Sequence, residues 1–262
     1  MTLSEGMTLS EGAILAASAV GAGAVNSLAG GGTLLSFPAL VHGAGLDLRS
    51  ANATSTVAIW PGAWGSMLGY RKDLADARHL VKSLALPSLL GGAVGAWLLL
   101  VTDEQTFGYI VPWLILFATV LFAAKGWLAP DEGTGGPKDP RPGAPAMAYQ
   151  FAVSTYGGYF GAGAGILMLA MLGWIGMKDI HRMNGVKMAQ AMLLNTTAIA
   201  IFALTPGLVA WPEAGVMAVG AWVGGYGGAR LARVIPQAGV RAFVVVAGLV
   251  IAGIQFSHVY GG

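Results

Sequence analysis

Cysteine is absent from the sequence and charged residues are scarce: 14 basic and 12 acidic residues occur among 262. The absence of cysteine excludes disulfides, thiolate nucleophiles and cysteine-ligated metal or iron–sulfur sites. Charged residues make up 10% of the chain, against about 25% in soluble domains, which excludes an ordinary soluble enzyme and a disordered protein. A net charge of +2 is too small for a nucleic-acid-binding protein.

Apolar sequence dominates instead. Hydrophobic residues make up 55% of the chain, glycine occurs 41 times, and the mean hydropathy is +0.68. The apolar runs are long and continuous, unlike the alternating ~10-residue segments of a membrane β-barrel. The composition therefore predicts an all-α integral membrane protein that crosses the bilayer several times.

Six apolar stretches have the length of roughly 20 residues that a membrane crossing needs. They cover residues 51–70, 83–101, 107–128, 186–205, 212–232 and 240–257. Two others, 13–42 and 147–176, are about 30 residues long, which exceeds one upright crossing. Each is interrupted by a glycine cluster, at Gly30–Gly32 and at Gly161–Gly165. Because glycine disfavours a helix by about 1 kcal/mol per residue, each stretch is predicted to be a broken helix or a re-entrant helical hairpin.

A polar linker divides the chain into two similar halves. Residues 130–145 contain five prolines, four glycines and five charged residues, a composition typical of a loop. At the N-terminus the hexapeptide MTLSEG occurs twice, so residues 1–12 are treated as lying outside the fold. The predicted divisions follow: residues 1–12, a first membrane repeat over 13–129, a linker over 130–146, and a second membrane repeat over 147–262.

The two halves match each other at an offset of 132 to 133 residues. The matched pairs are Gly32 with Gly165, Asn52–Ser55 with Asn184–Lys187, and Leu90–Ala96 with Val223–Ala229. Three matches in one order indicate an internal duplication, which is a common plan in secondary transporters.

Charge placement selects a topology, because short cytoplasmic loops are enriched in Lys and Arg. If the two glycine-broken stretches are re-entrant, the basic clusters all fall on one side of the membrane. They are Arg71, Lys72, Arg78 and Lys82; Lys178, Arg182 and Lys187; and Arg230, Arg233 and Arg241. The loops that contain Glu104 and Glu213 then lie outside. This leaves three transmembrane helices and one hairpin per half, so the halves are predicted to be inverted repeats with both termini outside.

Small residues at four-residue spacing occur in two of the predicted crossings. The pairs are Gly91/Gly95, Gly92/Ala96, Gly224/Gly228 and Gly225/Ala229. Such pairs let helix backbones approach closely in lipid, either in the internal core or in a homodimer.

The motifs, taken in order, resemble the sulfite exporter TauE/SafE family. They are the glycine break over 29–35, the short helix ending in Phe37-Pro38, Asn52-Ala-Thr-Ser, the second glycine break, and His181–Lys187. The family's first glycine motif often reads G-x-G-G-G, whereas this chain has Leu28-Ala29-Gly30-Gly31-Gly32. The resemblance covers residues 13–257. It implies a multi-pass transporter of the bacterial inner membrane that exports sulfite, sulfoacetate or another small organosulfonate.

The hairpin tips form the predicted substrate site. A helix N-terminus carries about +0.5 charge and free N–H donors, so it attracts anions, and broken helices commonly form transporter sites. The alternative is that the glycines only permit tight turns and close packing. The candidate substrate-binding residues at the tips are Gly30, Gly31, Gly32, Thr33, Gly163 and Gly165.

Polar residues at the start of the following crossings complete the candidate site. They are Asn52, Thr54, Ser55, Asn184, Lys187 and Gln190, with His181 and Arg182 as gate or vestibule residues. The asparagines and hydroxyls are either helix caps or substrate ligands. Lys187 either snorkels to the interface or neutralises the anion, and Gln190 bonds either another helix or the substrate.

These features favour a secondary transporter that works by alternating access. The chain contains no nucleotide-binding P-loop motif, and its acidic residues all fall at or outside the ends of the predicted spans. An anion channel of the same architecture is the alternative. An intramembrane enzyme is disfavoured because the four histidines are scattered along the chain. We expect no cofactor, no metal site and no nucleic-acid partner.

Overall fold

The computed structural model describes residues 2–4, 7–28, 30–128, 140–232, 234 and 237–260. A short β-hairpin, β1 (Thr2–Ser4) and β2 (Met7–Thr8), precedes the helices. The first half contains α1 (Leu9–Leu28), α2 (Thr33–Pro38) extended by a π-helical turn (Ala39–Gly43), α3 (Leu48–Gly69), α4 (Arg71–Ala75), α5 (Arg78–Val101) and α6 (Glu104–Leu128). The second half contains α7 (Ala144–Tyr159), α8 (Ala164–Trp174), α9 (Ile180–Ala203), α10 (Trp211–Leu231) and α11 (Gln237–Tyr260). Residues 130–139 of the predicted linker and Arg233 lie outside the described residues.

The first helix begins four residues before the predicted start of the first repeat at residue 13. The Thr8 hydroxyl accepts from the Glu11 amide at 3.3 Å, and the Glu11 carboxylate accepts from the Thr8 amide at 2.8 Å. This reciprocal pair is a capping box, which satisfies backbone donors at a helix start. The second copy of the duplicated hexapeptide therefore begins α1.

Each glycine-broken stretch folds back on itself as a hairpin. In the first, a methyl group added at Gly21 would lie 3.5 Å from Leu35, and one added at Gly43 would lie 3.9 Å from Ile14. Thus α2 and its π-helical extension run antiparallel to α1. In the second, a methyl group at Gly157 would lie 3.4 Å from the Ala164 side chain. Of the two predicted alternatives, the helical hairpin is the one observed.

Helices of each half pack mainly against helices of the other half. In the first hairpin α1 packs against α10, and in the second α7 packs against α5. The same exchange pairs α3 with α10 and α9 with α5, while α3 contacts α9 and α6 contacts α11. Each half therefore closes the core of the other.

The predicted small-residue stripes make these contacts. A methyl group at Gly95 would lie 2.1 Å from a carbonyl oxygen of α7, and one at Gly92 would lie 2.3 Å from a carbonyl oxygen of α9. In the second half, the distances are 2.0 Å from Gly224 to α1 and 2.1 Å from Gly225 to α3. Close packing by these residues is confirmed, and it occurs inside the chain.

The outer surface is apolar along the helices. Large side chains such as Trp97, Trp113, Val219 and Leu249 are exposed. Soluble monomers rarely expose so extensive an apolar surface. Four described segments are long and apolar enough to cross a membrane: Arg78–Val101, Glu104–Ala124, Ile180–Ala203 and Arg241–Tyr260. The fold is that of an all-α membrane protein, as predicted. With 22 and 21 residues, α3 and α10 are also about 30 Å long.

Candidate functional site

The breaks of the two hairpins meet inside the helix bundle. Gly30 has φ +86°, and a methyl group added to it would lie 2.5 Å from the Gly165 Cα atom. The same addition at Gly31 would lie 2.0 Å from the Phe122 ring of α6. Residues with a side chain rarely adopt the φ of Gly30, and a side chain there would collide with Gly165. Glycine is therefore required at position 30, where the tips touch.

A narrow pocket lies beside this contact, with walls from both hairpins, α3 and α9. Four of the predicted site residues line it: Gly30, Thr33, Gly165 and Lys187. The other lining residues are Asn26, Thr56, Ile59, Gly157, Gly161, Ala164, Met168, Met188, Ala191, Leu194 and Asn195. None of them is Asp, Glu or His. The cavity volume of ≈ 30 Å³ has room for about two water molecules.

Among the described residues that line the pocket, Lys187 is the one that carries a charge, and it is 1% exposed. Its Nζ donates to the Asn26 and Ser27 carbonyl oxygens, both at 3.0 Å, and to Asn184 Oδ1 at 2.8 Å. The two carbonyls belong to the last turn of α1, where the helix dipole is negative. The ammonium group is therefore turned inward, and the sequence alternative in which it snorkels to the interface is not what the structure shows.

The matching place in the other half is held by a neutral amide. Asn52 Nδ2 donates at 2.8 Å to the carbonyl oxygen of Tyr159, the last residue of α7. Asn52 is 1% exposed, and its Oδ1 has no partner among the described residues. In each hairpin, the end of the first helix is thus bonded to the first turns of a helix in the opposite half: α1 to α9, and α7 to α3.

The family model for Sulfite exporter TauE/SafE matches residues 15–255. The chain belongs to this family. Probable membrane transporter protein YfcA of Escherichia coli (strain K12) is 29% identical over 231 residues, which cover 86% of this chain and 82% of that protein. A probable membrane transporter protein of Haemophilus influenzae is 25% identical over 227 residues, 85% of each chain. No solved structure shows a significant match. The comparisons identify a membrane transporter and not an enzyme.

Three further tip glycines of this TauE/SafE chain lie outside the pocket lining. Gly31 faces Phe122, and a methyl group at Gly32 would lie 2.4 Å from the Ala22 carbonyl oxygen of α1. Gly163, with φ +81°, is the residue from which α8 starts. These glycines fold each tip closely enough for the two tips to touch.

Three predicted polar residues of the TauE/SafE chain make contacts between helices. The Thr54 hydroxyl accepts from the Ala210 amide at 3.0 Å, at the start of α10. The Ser55 and Ser36 hydroxyls share a hydrogen bond of 2.6 Å between α3 and α2. Gln190 Oε1 accepts from the Ser88 hydroxyl of α5 at 2.7 Å. None of these three side chains lines the pocket in this conformation.

The candidate gate residues lie at the end of the molecule that carries α4. Asp179 accepts from the His181 and Arg182 amides at 2.9 and 3.2 Å and so caps α9. Arg182 Nη2 donates to the Asp76 carbonyl oxygen at 3.1 Å, which joins α9 to the loop after α4. Neither His181 nor Arg182 lines the pocket.

Three polar residues of the pocket lining are not among the predicted substrate residues: Asn26, Thr56 and Asn195. Asn26 lies one turn before the first glycine cluster, next to the buried Ser27; Thr56 follows the Asn52–Ser55 segment, and Asn195 lies on α9. A polar side chain at that depth in a membrane helix is itself a signal of a functional position. Asn26 belongs to no motif shared by the two halves, because the second hairpin has no asparagine just before its glycine cluster.

Proposed function

We propose that the chain is a secondary transporter that carries sulfite or a small organosulfonate across the bacterial cytoplasmic membrane by alternating access. The proposal rests on Lys187, a buried cation in the pocket between the two hairpin tips. A buried ammonium is costly unless it serves a partner, and in a membrane bundle it marks a substrate pathway by default. The family description names the substrate class.

The architecture that we propose has six crossings, two re-entrant hairpins and inverted halves. The exchanged packing of α1 on α10 and of α7 on α5 supports a two-fold relation between the halves. The contact of Arg182 with Asp76 brings two basic clusters to one end of the molecule, in agreement with a cytoplasmic assignment of that end. At another helix start, the Glu104 carboxylate accepts from the Leu48 amide at 2.9 Å, and we assign this acidic end to the outside.

The pocket offers the chemistry that an oxyanion needs. Lys187 supplies a positive charge, and the Asn26 and Asn195 amides and the Thr33 hydroxyl supply hydrogen-bond donors. The Thr56 hydroxyl of the lining donates to the Asn52 carbonyl oxygen at 3.0 Å in this conformation. No carboxylate in the lining would repel the anion. We assign the twelve predicted substrate residues to two roles: those in the lining contact the anion, and the others shape the tips or hold the surrounding helices.

Anion binding competes with the contact that Lys187 makes in this conformation. The ammonium now neutralises carbonyls at the end of α1. A sulfite anion beside it would offer a full negative charge in place of partial ones, and Lys187 would turn from the hairpin to the anion. This exchange would loosen the first hairpin from α9 and let the tips part. A pocket with room for only two water molecules has to widen to admit sulfite, which favours a carrier over an open channel.

The proposal is tested by counterflow of labelled sulfite in proteoliposomes. Replacing Lys187 with Met removes the charge while keeping most of the side-chain volume, and we expect uptake to fall about 10- to 100-fold, the value of one charge-assisted contact. Lys178→Met is the matched control, because Lys178 is exposed nine residues earlier. Absence of transport of any sulfur anion by the unmodified protein, under any imposed gradient, would refute the function.

A further inference from the structure

A second cavity lies at the basic end of the molecule, apart from the central pocket. Its volume is ≈ 360 Å³, and it is enclosed by α3, α4 and α5, with Ala189 of α9 at its wall. Its apolar lining residues include Trp64 and Leu68 of α3. Three cations, Arg71, Arg78 and Lys82, line it as well. A cavity lined by apolar side chains and three cations has the chemistry to bind an anionic amphiphile.

The three cations are available for such a ligand. Arg71, Arg78 and Lys82 are exposed, and none of their side chains makes a hydrogen bond or an ion pair within the described part of the chain. The nearby carboxylates Asp73 and Asp76 are not among the lining residues. The described lining of the cavity therefore carries three positive charges and no carboxylate.

The position of the cavity fits the membrane interface. Trp64 and Leu68 are 46% and 47% exposed near the end of α3, which stops at Gly69. Directly beyond them α4 and the start of α5 bring in the basic residues. Apolar surface gives way to cations over this short distance, as it does where acyl chains give way to headgroups.

We propose that this cavity binds one anionic phospholipid of the inner leaflet. Its phosphate lies at Arg71, Arg78 and Lys82, and one acyl chain lies against Trp64 and Leu68. Ala189 is two residues from Lys187 on α9, so the bound lipid braces the helix that carries the pocket cation against α4 and α5. The inference depends on the membrane orientation but not on which anion is transported.

Native mass spectrometry of the detergent-purified full chain tests the site with dioleoyl-phosphatidylglycerol and dioleoyl-phosphatidylcholine as probes. The site variant is R71Q/R78Q/K82Q. The control is K72Q/K178Q/R241Q, which removes the same charge from positions outside the cavity lining. We expect the unmodified protein and the control to retain phosphatidylglycerol about tenfold or more over phosphatidylcholine, and the site variant to lose this preference.

Two further arms separate lipid binding from simple charge attraction. Dihexanoyl-phosphatidylglycerol carries the same headgroup without a long chain, and inorganic phosphate carries the charge alone; both should bind much more weakly than the dioleoyl lipid. Thermal melting of all three proteins without added lipid checks that they are folded. The proposal is overturned if folded site variant and unmodified protein bind phosphatidylglycerol equally, if the control loses binding as well, or if phosphate alone competes the lipid off. A normal lipid result with no sulfite transport would leave this inference standing and remove only the proposed substrate.

Discussion

The two halves of the chain build the same connection with different chemistry. Asn52 and Asn184 occupy aligned positions, as do Ser55 and Lys187. In the first half the Asn52 amide reaches the end of α7 by itself. In the second half Asn184 accepts from Lys187, and the lysine ammonium reaches the end of α1. The two contacts are placed alike in both halves, whereas only the second carries a charge.

This difference gives the two hairpins unequal roles. The negative end of α1 faces a full positive charge, while that of α7 faces only an amide dipole. An anion in the pocket would draw Lys187 away from α1, but it would have much less effect on the neutral contact of Asn52. We therefore expect the first hairpin to respond to substrate and the second to remain in place.

The largest expected effect comes from the contact between the tips. Gly30→Ala combines a positive φ, which costs a side chain about 1–2 kcal/mol, with a collision against the Gly165 backbone, so we expect the folded protein to be lost from detergent extracts. Gly165→Ala meets the same contact without the positive φ and should retain some folded protein. Fluorescence-detected gel filtration measures both.

Gly45→Ala is the control for the tip variants. Gly45 also has a positive φ, +66°, but a methyl group there would have nothing within 4 Å. It should lower the free energy of unfolding by about 1–2 kcal/mol, the backbone term alone. If Gly30→Ala behaved like Gly45→Ala, the two tips would not be in contact.

The next effect separates the charged contact from the neutral one. Lys187→Met should cost about 3 kcal/mol, since it leaves buried carbonyls and the Asn184 amide without their donor, and it should also abolish most sulfite transport. Asn52→Leu should cost about 1–2 kcal/mol and leave sulfite transport largely intact. Thermal melting and proteoliposome counterflow measure the two quantities.

Equal loss of sulfite transport in the Lys187→Met and Asn52→Leu variants would contradict the proposal that transport depends on the Lys187 charge. In that case the connection between hairpins and crossing helices, and not the lysine charge, would limit transport. Lys187→Arg sharpens the distinction: it keeps the charge but places a larger planar group in a narrow pocket, so stability should recover more than transport.

The sequence predicted what depends on local pattern. Helix positions followed from apolar length, the hairpin breaks from glycine clusters, and the α5 and α10 contacts from four-residue spacing, because each signal lies within one segment. The hydrogen-bond partners of the polar side chains could not be predicted in this way, because they lie in other segments of the chain. Lys187 meets carbonyls 160 residues away, and Thr54 and Gln190 meet helices that only the tertiary fold brings near. For this reason only four of the twelve candidate substrate residues line the pocket.

A smaller and equal effect is expected where the halves are most alike. Gly92→Ala would collide with a carbonyl of α9, and Gly225→Ala would collide with the Gly62 carbonyl of α3. Overpacking of this kind costs about 1–3 kcal/mol, and we expect the two melting temperatures to fall together. Gly227→Ala, with nothing within 4 Å, should be neutral or slightly stabilising. A large difference between Gly92 and Gly225 would show that the two interfaces are not equivalent.

The smallest effect concerns a cap that only one half possesses. The Thr54 hydroxyl accepts from the Ala210 amide before α10, whereas the aligned residue in the second half is Val186, which has no hydroxyl to offer α5. Thr54→Val should therefore cost about 1 kcal/mol and speed amide hydrogen exchange at the start of α10, with no change at the start of α5. Thr205→Val, where the hydroxyl donates only to the Ile201 carbonyl oxygen of the preceding helix α9, is the control. Unchanged exchange at α10 would mean that the Ala210 amide finds another acceptor, and that the two halves are capped more equally than their sequences indicate.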